Sequence, residues 1–199
     1  MKRRKGRVPF ADVTDLEKAV IHVGEVFVGV KPTVVQTLLG SCVSVCLIDR
    51  MAGIGGMNHI LLPGKPDLHS LDASARYGVN AMEILIGGIQ RAGASRRRLE
   101  AKVFGGANVL TGLDKTFNPG FRNGTFVMEF LELEKIPVIG QDIGGFNARR
   151  IYLRTDTGEV FMKRIPRYQA SNIVIEEKEY GRRVAGELSQ KGRVTLFKK

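Results

Sequence analysis

Cysteine, histidine and tryptophan are scarce in this sequence, and each scarcity excludes a class of protein. The 199 residues contain two Cys, three His and no Trp. Two Cys cannot supply the several disulfides of a small secreted scaffold, and no C-x-x-C or H-E-x-x-H motif groups the thiols and imidazoles as zinc ligands. No apolar run reaches the roughly 20 residues of a membrane span, and the basic start lacks the apolar core of a signal peptide. We therefore expect a cytoplasmic protein with reduced thiols and no metal site.

Motifs for binding phosphates and dinucleotides are missing as well. The sequence has 24 Gly, but it contains neither the G-x-x-x-x-G-K-[ST] pattern nor the G-x-G-x-x-G pattern. The pairs Gly55-Gly56, Gly105-Gly106 and Gly144-Gly145 lie at or near predicted strands, where turns and bulges explain them. We predict that no cofactor is needed.

Positive charge is in excess, with 31 Lys and Arg against 20 Asp and Glu, a formal net charge of +11. This excess fits a solvated basic surface, or attraction to an acidic partner such as nucleic acid, a membrane surface or an acidic protein. A run of three arginines at 96–98 suggests nucleic acid, but no zinc finger, recognition helix or RNA-binding aromatic motif accompanies it. Nucleic-acid binding is therefore the weakest of these hypotheses.

Alternating and β-branched stretches predict strands along most of the chain. The predicted strands cover residues 21–30, 34–38, 42–48, 54–62, 99–104, 137–141, 151–154 and 160–165, and the last two form a hairpin. Helical periodicity predicts helices over 72–92, capped by Asp72, and over 125–135. Strands outnumber helices without regular βαβ alternation, so we predict an α+β fold with mixed strands packed on two long helices.

The charge distribution predicts a single domain with charged ends. Residues 1–17 form a basic arm, residues 18–168 form the domain, and residues 169–199 form a charged extension. The domain has enough residues to bury a core of its own. Beyond about residue 175 the pattern is weak, and we expect partial order at most.

The two cysteines have different predicted roles. On one strand they lie about 13 Å apart, at roughly 3.3 Å per residue, which is too far for a disulfide. Cys46 is mid-strand and is interpreted as packing. Cys42 follows a Gly-Ser turn, where it can present its thiol at an accessible rim, although a lone cytosolic Cys is more often a buried structural thiol.

His59 makes the catalytic interpretation of Cys42 more attractive. If strands 42–48 and 54–62 pair as an antiparallel hairpin, residue 42 faces roughly residue 60, and His59 can reach the thiol. An adjacent imidazole activates a Cys nucleophile by taking its proton. By itself His59 fits a half-buried, hydrogen-bonded histidine equally well.

Three residues before Cys42 could support such a site. The Thr37 hydroxyl could orient the His59 ring, although the pattern alone favours a plain β-branched strand residue. The turn residues Gly40 and Ser41, with the backbone N–H of Cys42, could stabilise an oxyanion.

Five short motifs stand at the ends of predicted strands. They are residues 37–43 (TLLGSCV), 56–63 (GMNHILLP), 104–108 (FGGAN), 142–145 (DIGG) and 157–160 (TGEV). Together they closely resemble the CheD family, the chemoreceptor glutamine deamidases of bacterial and archaeal chemotaxis. The resemblance covers about residues 20–165, most of a domain of ordinary size.

The resemblance implies a cysteine hydrolase that converts receptor glutamines to glutamates and releases ammonia. It implies an α/β layered sandwich similar to deamidating bacterial toxins. It matches the family's nucleophile to Cys42, its general base to His59 and its third catalytic residue to Thr37.

The partners that the resemblance implies are methyl-accepting chemoreceptors and a CheC-type phosphatase that engages the same pocket, with membranes reached only through the receptors. An interaction module with a weak catalytic site is the alternative, and a nucleic-acid-binding protein is a more distant one.

Overall fold

A computed structural model of the protein describes residues 16–64, 66–70, 72–109, 118–166 and 171–190. Within these residues the chain forms nine β-strands and three α-helices, together with a short 3-10 turn at Arg96–Arg98. In chain order the elements are β1 (Glu17–Val20), β2 (Val26–Gly29), β3 (Thr33–Leu39), β4 (Val43–Asp49), β5 (Ile54–Asn58), α1 (Ala73–Arg91), β6 (Glu100–Gly105), α2 (Pro119–Leu133), β7 (Val138–Ile143), β8 (Ala148–Arg154), β9 (Val160–Ile165) and α3 (Ser171–Gln190).

The strands form two mixed sheets. A five-stranded sheet has the order β2-β5-β4-β6-β7, and a four-stranded sheet has the order β1-β3-β8-β9. The pairs β1–β3 and β6–β7 are parallel and the others are antiparallel. The predicted α+β class with mixed strands is therefore confirmed, and so is the hairpin of the last two strands.

The five-stranded sheet carries the main core on one face and contacts the second sheet on the other. All seven residues of β4 are buried, as expected for a central strand that is covered on both faces. Helices α1 and α2 pack on the first face, where Met82, Leu85 and Phe126 meet the β4 side chains. A second apolar cluster, which includes Cys42, Cys46 and Met57, joins the other face to β3 and β8.

The two predicted helices are present, but α2 begins earlier than its pattern indicates. Asp72 caps α1 as predicted, since its carboxylate accepts a hydrogen bond from the Ala75 N–H at 2.7 Å. Helix α2 begins at Pro119, six residues before the predicted start, with Asn118 as its cap. Its first turn holds Gly120, where a side chain would collide with the backbone of Gly106. The close approach needs glycine, which weakens the helical pattern of the sequence.

The expectation of at most partial order beyond residue 175 is wrong as far as residue 190, because residues Ser171–Gln190 form helix α3. Ile173, Glu177 and Val184 are buried on its inner face. The helical pattern was hard to recognise because one of these buried positions carries a carboxylate. Tertiary contacts stabilise such a helix more than intrinsic propensity does.

None of the helices in the described ranges is long and apolar enough to cross a membrane. Of the predicted basic arm at 1–17, residues 1–15 lie outside the described residues, and Glu17 begins β1.

Candidate active site

Three consecutive backbone N–H groups point into one cleft at the turn between β3 and β4, those of Gly40, Ser41 and Cys42. The carbonyls of the same three residues are held on the opposite side by other donors. They accept hydrogen bonds from Ala107 N–H (2.9 Å, to Gly40), Asn123 Nδ2 (2.8 Å, to Ser41) and Gly106 N–H (2.7 Å, to Cys42). With each carbonyl turned away, the three N–H groups form an anion-binding cradle.

The carboxylate of Glu177, on α3, occupies this cradle. One of its oxygens accepts from the N–H of Gly40 (3.0 Å) and of Cys42 (3.1 Å). The other accepts from the N–H (2.9 Å) and the hydroxyl (2.6 Å) of Ser41. Four donors thus surround a carboxylate whose residue is only 5% exposed. Sequence analysis missed Glu177, because a glutamate in a charged tail carries no sign of burial.

His59 lies beside Cys42 on the same face of the five-stranded sheet. Val43 and Ile60 pair across the sheet, and side chains alternate along a strand, so Cys42 and His59 project together to the other face. The Cys42 Sγ, a ring nitrogen of His59 and a carboxylate oxygen of Glu177 all lie within 4.8 Å of one another. The predicted proximity of Cys42 and His59 is therefore present in the fold.

Thr37 fixes the orientation of the His59 ring. Its Oγ1 lies 2.8 Å from His59 Nδ1 and 2.7 Å from the carbonyl oxygen of Ile21, to which it donates. A hydroxyl has one proton, so the His59 Nδ1 carries the hydrogen and donates to Thr37. The lone pair of the ring is then on Nε2, which is buried and makes no hydrogen bond to the described residues.

Burial keeps both members of the Cys–His pair neutral in this arrangement. It raises the pKa of Cys42 well above its ordinary value, and the neighbouring Glu177 carboxylate raises the pKa further. Burial lowers the pKa of His59 to about 3, with a smaller repulsive contribution from His22. Thiol and imidazole are thus both uncharged while α3 covers them.

The expectation that Cys42 lies at an accessible rim is wrong. Its exposure is 0%, and that of His59 is 3%. The turn does end at a cleft, but α3 fills that cleft. Cys46 is 2% exposed, and burial raises its pKa to about 12, as befits a packing residue. Neither cysteine forms a disulfide.

Asn123 is a second residue of the site that the sequence pattern does not reveal. Asn123 of α2 donates to the Ser41 carbonyl and accepts from the Leu62 N–H at 3.0 Å, so one amide ties the cradle to the chain beyond His59. No local pattern distinguishes it from a surface asparagine. Gly106, by contrast, belongs to the motif at residues 104–108.

The Cys42, His59 and Glu177 side chains include the donor types that bind zinc. The scattered Cys and His residues of the sequence predict no metal site. In this arrangement the Glu177 oxygens already accept four hydrogen bonds from the cradle. The geometry is therefore that of a carboxylate held by N–H and O–H donors beside a Cys–His pair.

Comparison of the sequence with known proteins finds similar proteins of one family. The sequence model of CheD, described as CheD chemotactic sensory transduction, matches residues 61–164. A protein of Thiobacillus denitrificans named "Probable chemoreceptor glutamine deamidase CheD" is 44% identical over 186 residues, which cover 92% of this chain and 91% of the relative. One of Shewanella oneidensis, named "Probable chemoreceptor glutamine deamidase CheD 1", is 46% identical over 178 residues, or 87% of this chain and 84% of the relative.

Proposed function

Because this chain belongs to the CheD family, we propose that it is a chemoreceptor glutamine deamidase with Cys42 as its nucleophile. The reaction converts the side-chain carboxamide of a receptor glutamine to a carboxylate and releases ammonia. The observation that carries the proposal is the cradle of N–H groups next to a Cys–His pair, since acyl transfer needs these three parts within reach of one carbonyl.

The first half of the reaction forms a thioester. His59 Nε2 takes the proton of the Cys42 thiol, and the sulfur attacks the carboxamide carbon of the substrate. The developing oxyanion is stabilised by the N–H groups of Cys42 and of Gly40 or Ser41. The protonated His59 then gives its proton to the leaving nitrogen, and ammonia departs.

The second half hydrolyses the thioester. His59 removes a proton from a water molecule, the hydroxide adds to the carbonyl carbon in the same cradle, and the thiol leaves with its proton restored. Thr37 acts as a positioning residue, because its contact with Nδ1 keeps the lone pair on Nε2. No step requires a group other than these side chains, the backbone and water.

Mass spectrometry of a co-expressed chemoreceptor tests the proposal. Wild type should add about one dalton at each modified glutamine, the difference between carboxamide and carboxylate, and Cys42→Ala should abolish the shift because the nucleophile is lost. Cys46→Ala is the matched control, since it removes a second buried thiol from the same stretch and should leave the shift in place. A receptor that is still modified in the Cys42→Ala strain would refute the assignment.

A second candidate function is an interaction module that binds receptors or a CheC-type phosphatase with little catalysis. The observation that favours it is the complete burial of Cys42. Such a module would bind a receptor fragment yet release no ammonia from it, and its thiol would stay inert to iodoacetamide when the fragment is bound.

The finer expectations follow the same family reasoning. We propose that the layered arrangement is related to that of deamidating-toxin cysteine hydrolases, and that the protein works in the cytoplasm on membrane-bound receptors. The two free thiols support a reducing location.

A further inference from the structure

Helix α3 lies directly over the proposed catalytic residues. A side chain placed on Gly40 would meet both Glu177 and Ile173, and one placed on Gly24 would meet the Tyr180 ring. The Tyr180 hydroxyl is hydrogen-bonded to that of Tyr77 on α1. The helix thus rests on the cradle turn, on the segment between β1 and β2, and on α1.

The group that α3 places in the cradle is a glutamate side chain, which is the product of glutamine deamidation. Its carboxylate lies within 4.8 Å of the Cys42 Sγ and of a His59 ring nitrogen. A substrate carboxamide attacked by Cys42 must bring its carbonyl oxygen to the same N–H groups. Glu177 therefore stands where the modified residue of a substrate helix would stand.

The cradle is the main compensation for the buried charge. No Lys, Arg or His in the described ranges forms a salt bridge with Glu177, so the four hydrogen bonds hold it. Hydrogen bonds to a charged acceptor are the stronger kind. While the Glu177 carboxylate occupies the N–H groups of the cradle, neither water nor a substrate carbonyl can bind to them.

We propose that α3 is an internal product analogue, which inhibits the enzyme by occupying its glutamine subsite with Glu177 and must be displaced by a substrate helix. This inference rests on the proposed function, since it takes the cradle to be the subsite of the reacting carboxamide. The closed protein is then the resting form, and the interaction surface beneath α3 is shaped for a helix that presents Gln or Glu.

Glu177→Ala tests the inhibition, with Glu179→Ala as the matched control. Glu179 is an exposed glutamate on the same helix, so its substitution removes equal charge and leaves the cradle occupied. We expect Glu177→Ala to raise both the rate of Cys42 alkylation by iodoacetamide and the rate of ammonia release from a receptor fragment by about tenfold or more, because even one charge-assisted hydrogen bond contributes about a factor of ten. Glu179→Ala should match wild type in both assays.

The two readouts separate the two proposals. If Glu177→Ala is alkylated faster but neither wild type nor any variant releases ammonia, the occupied cradle is supported and the deamidase is refuted. Ammonia release by wild type with no gain in Glu177→Ala would support the deamidase and refute the inhibition. A loss of activity in Glu177→Ala would also refute it, because the carboxylate would then be needed for the reaction.

Glu177→Gln gives a second, independent test, because it places a carboxamide over Cys42 within the same chain. If α3 lies in the position of product, water and the Cys–His pair should hydrolyse this amide to carboxylate and ammonia, and the intact mass should rise by about one dalton to that of wild type. The double variant Glu177→Gln with Cys42→Ala should keep the amide. An amide that persists in the single variant, in a preparation that deamidates a receptor fragment, would overturn the product-like placement.

Discussion

The hydroxyl of Thr37 lies between the His59 ring and the Ile21 carbonyl, and its single proton sets the direction of both hydrogen bonds. The Thr37 Oγ1 donates to the Ile21 carbonyl oxygen 2.7 Å away, so the ring donates from Nδ1 and keeps its lone pair on Nε2. Thr37, a β-branched strand residue, therefore orients the ring of His59, the proposed general base. The sequence pattern could name Thr37 as a candidate, but it could not distinguish this contact from ordinary strand packing.

Thr37→Val removes the hydroxyl while keeping the shape of the side chain. We expect kcat for ammonia release to fall about ten- to a hundredfold with little change in KM, because a buried Nδ1–H left without a partner costs about 1–3 kcal/mol and the ring loses its preferred tautomer. Thr37→Ser retains the hydroxyl and should keep most of the activity. Equal rates for the Val variant and wild type would exclude the positioning role.

At the scale of elements, Asp49 joins the end of β4 to the segment before β6. Its buried carboxylate accepts from Met51 N–H at 3.1 Å and Ser95 N–H at 2.8 Å, and from the Arg98 guanidinium at 2.6 and 3.0 Å. The hydrogen bonds from Arg98 lower the pKa of Asp49 to about 2. One of the three arginines that suggested nucleic-acid binding thus has a structural role.

Asp49→Asn should reduce the free energy of unfolding by about 3 kcal/mol, since it leaves buried donors with a poorer acceptor and Arg98 without its counter-charge. The pKa of Asp49 is lowered in the folded state, so its contribution is present above pH 4 and is lost as the pH falls toward 2. Urea unfolding at several pH values measures both effects, and the variant should show a flatter response in this window. Asp156→Asn, at a more exposed pair with Arg154, should cost less than about 1 kcal/mol.

At the scale of the whole molecule, the net charge of +11 favours encounter with acidic helices. Long-range attraction accelerates association, and salt screens it over a Debye length of about 10 Å at 0.1 M. Arg150 lines the cavity that contains His59 and Glu177, so part of this charge lies beside the proposed site. The basic composition therefore predicts faster association with an acidic protein partner than with a neutral one.

KM for a receptor fragment rich in Glu should therefore rise severalfold between about 0.02 M and about 0.3 M salt, while kcat changes little. An uncharged glutamine peptide serves as the control and should show a flat response. If KM for the acidic fragment is also independent of salt concentration, the net charge does not accelerate association with the receptor.

Sequence alone determined the features that depend on local pattern. Apolar periodicity located both helices of the main core and strands β2 to β9, whereas β1 lies before the first predicted strand and was missed. Asp72 was identified as a cap because capping is a local interaction. The hairpin of strands β4 and β5 brought Cys42 and His59 together, since register follows from a short turn.

Only the tertiary structure decided what surrounds that pair. Glu177 lies 135 residues from Cys42 in the chain, and Asn123 lies 82 residues from Ser41. Neither contact follows from a period or a spacing, because the packing of distant elements creates both. The sequence thus predicted a neighbouring thiol and imidazole, whereas the fold determined that a glutamate on the last described helix covers them.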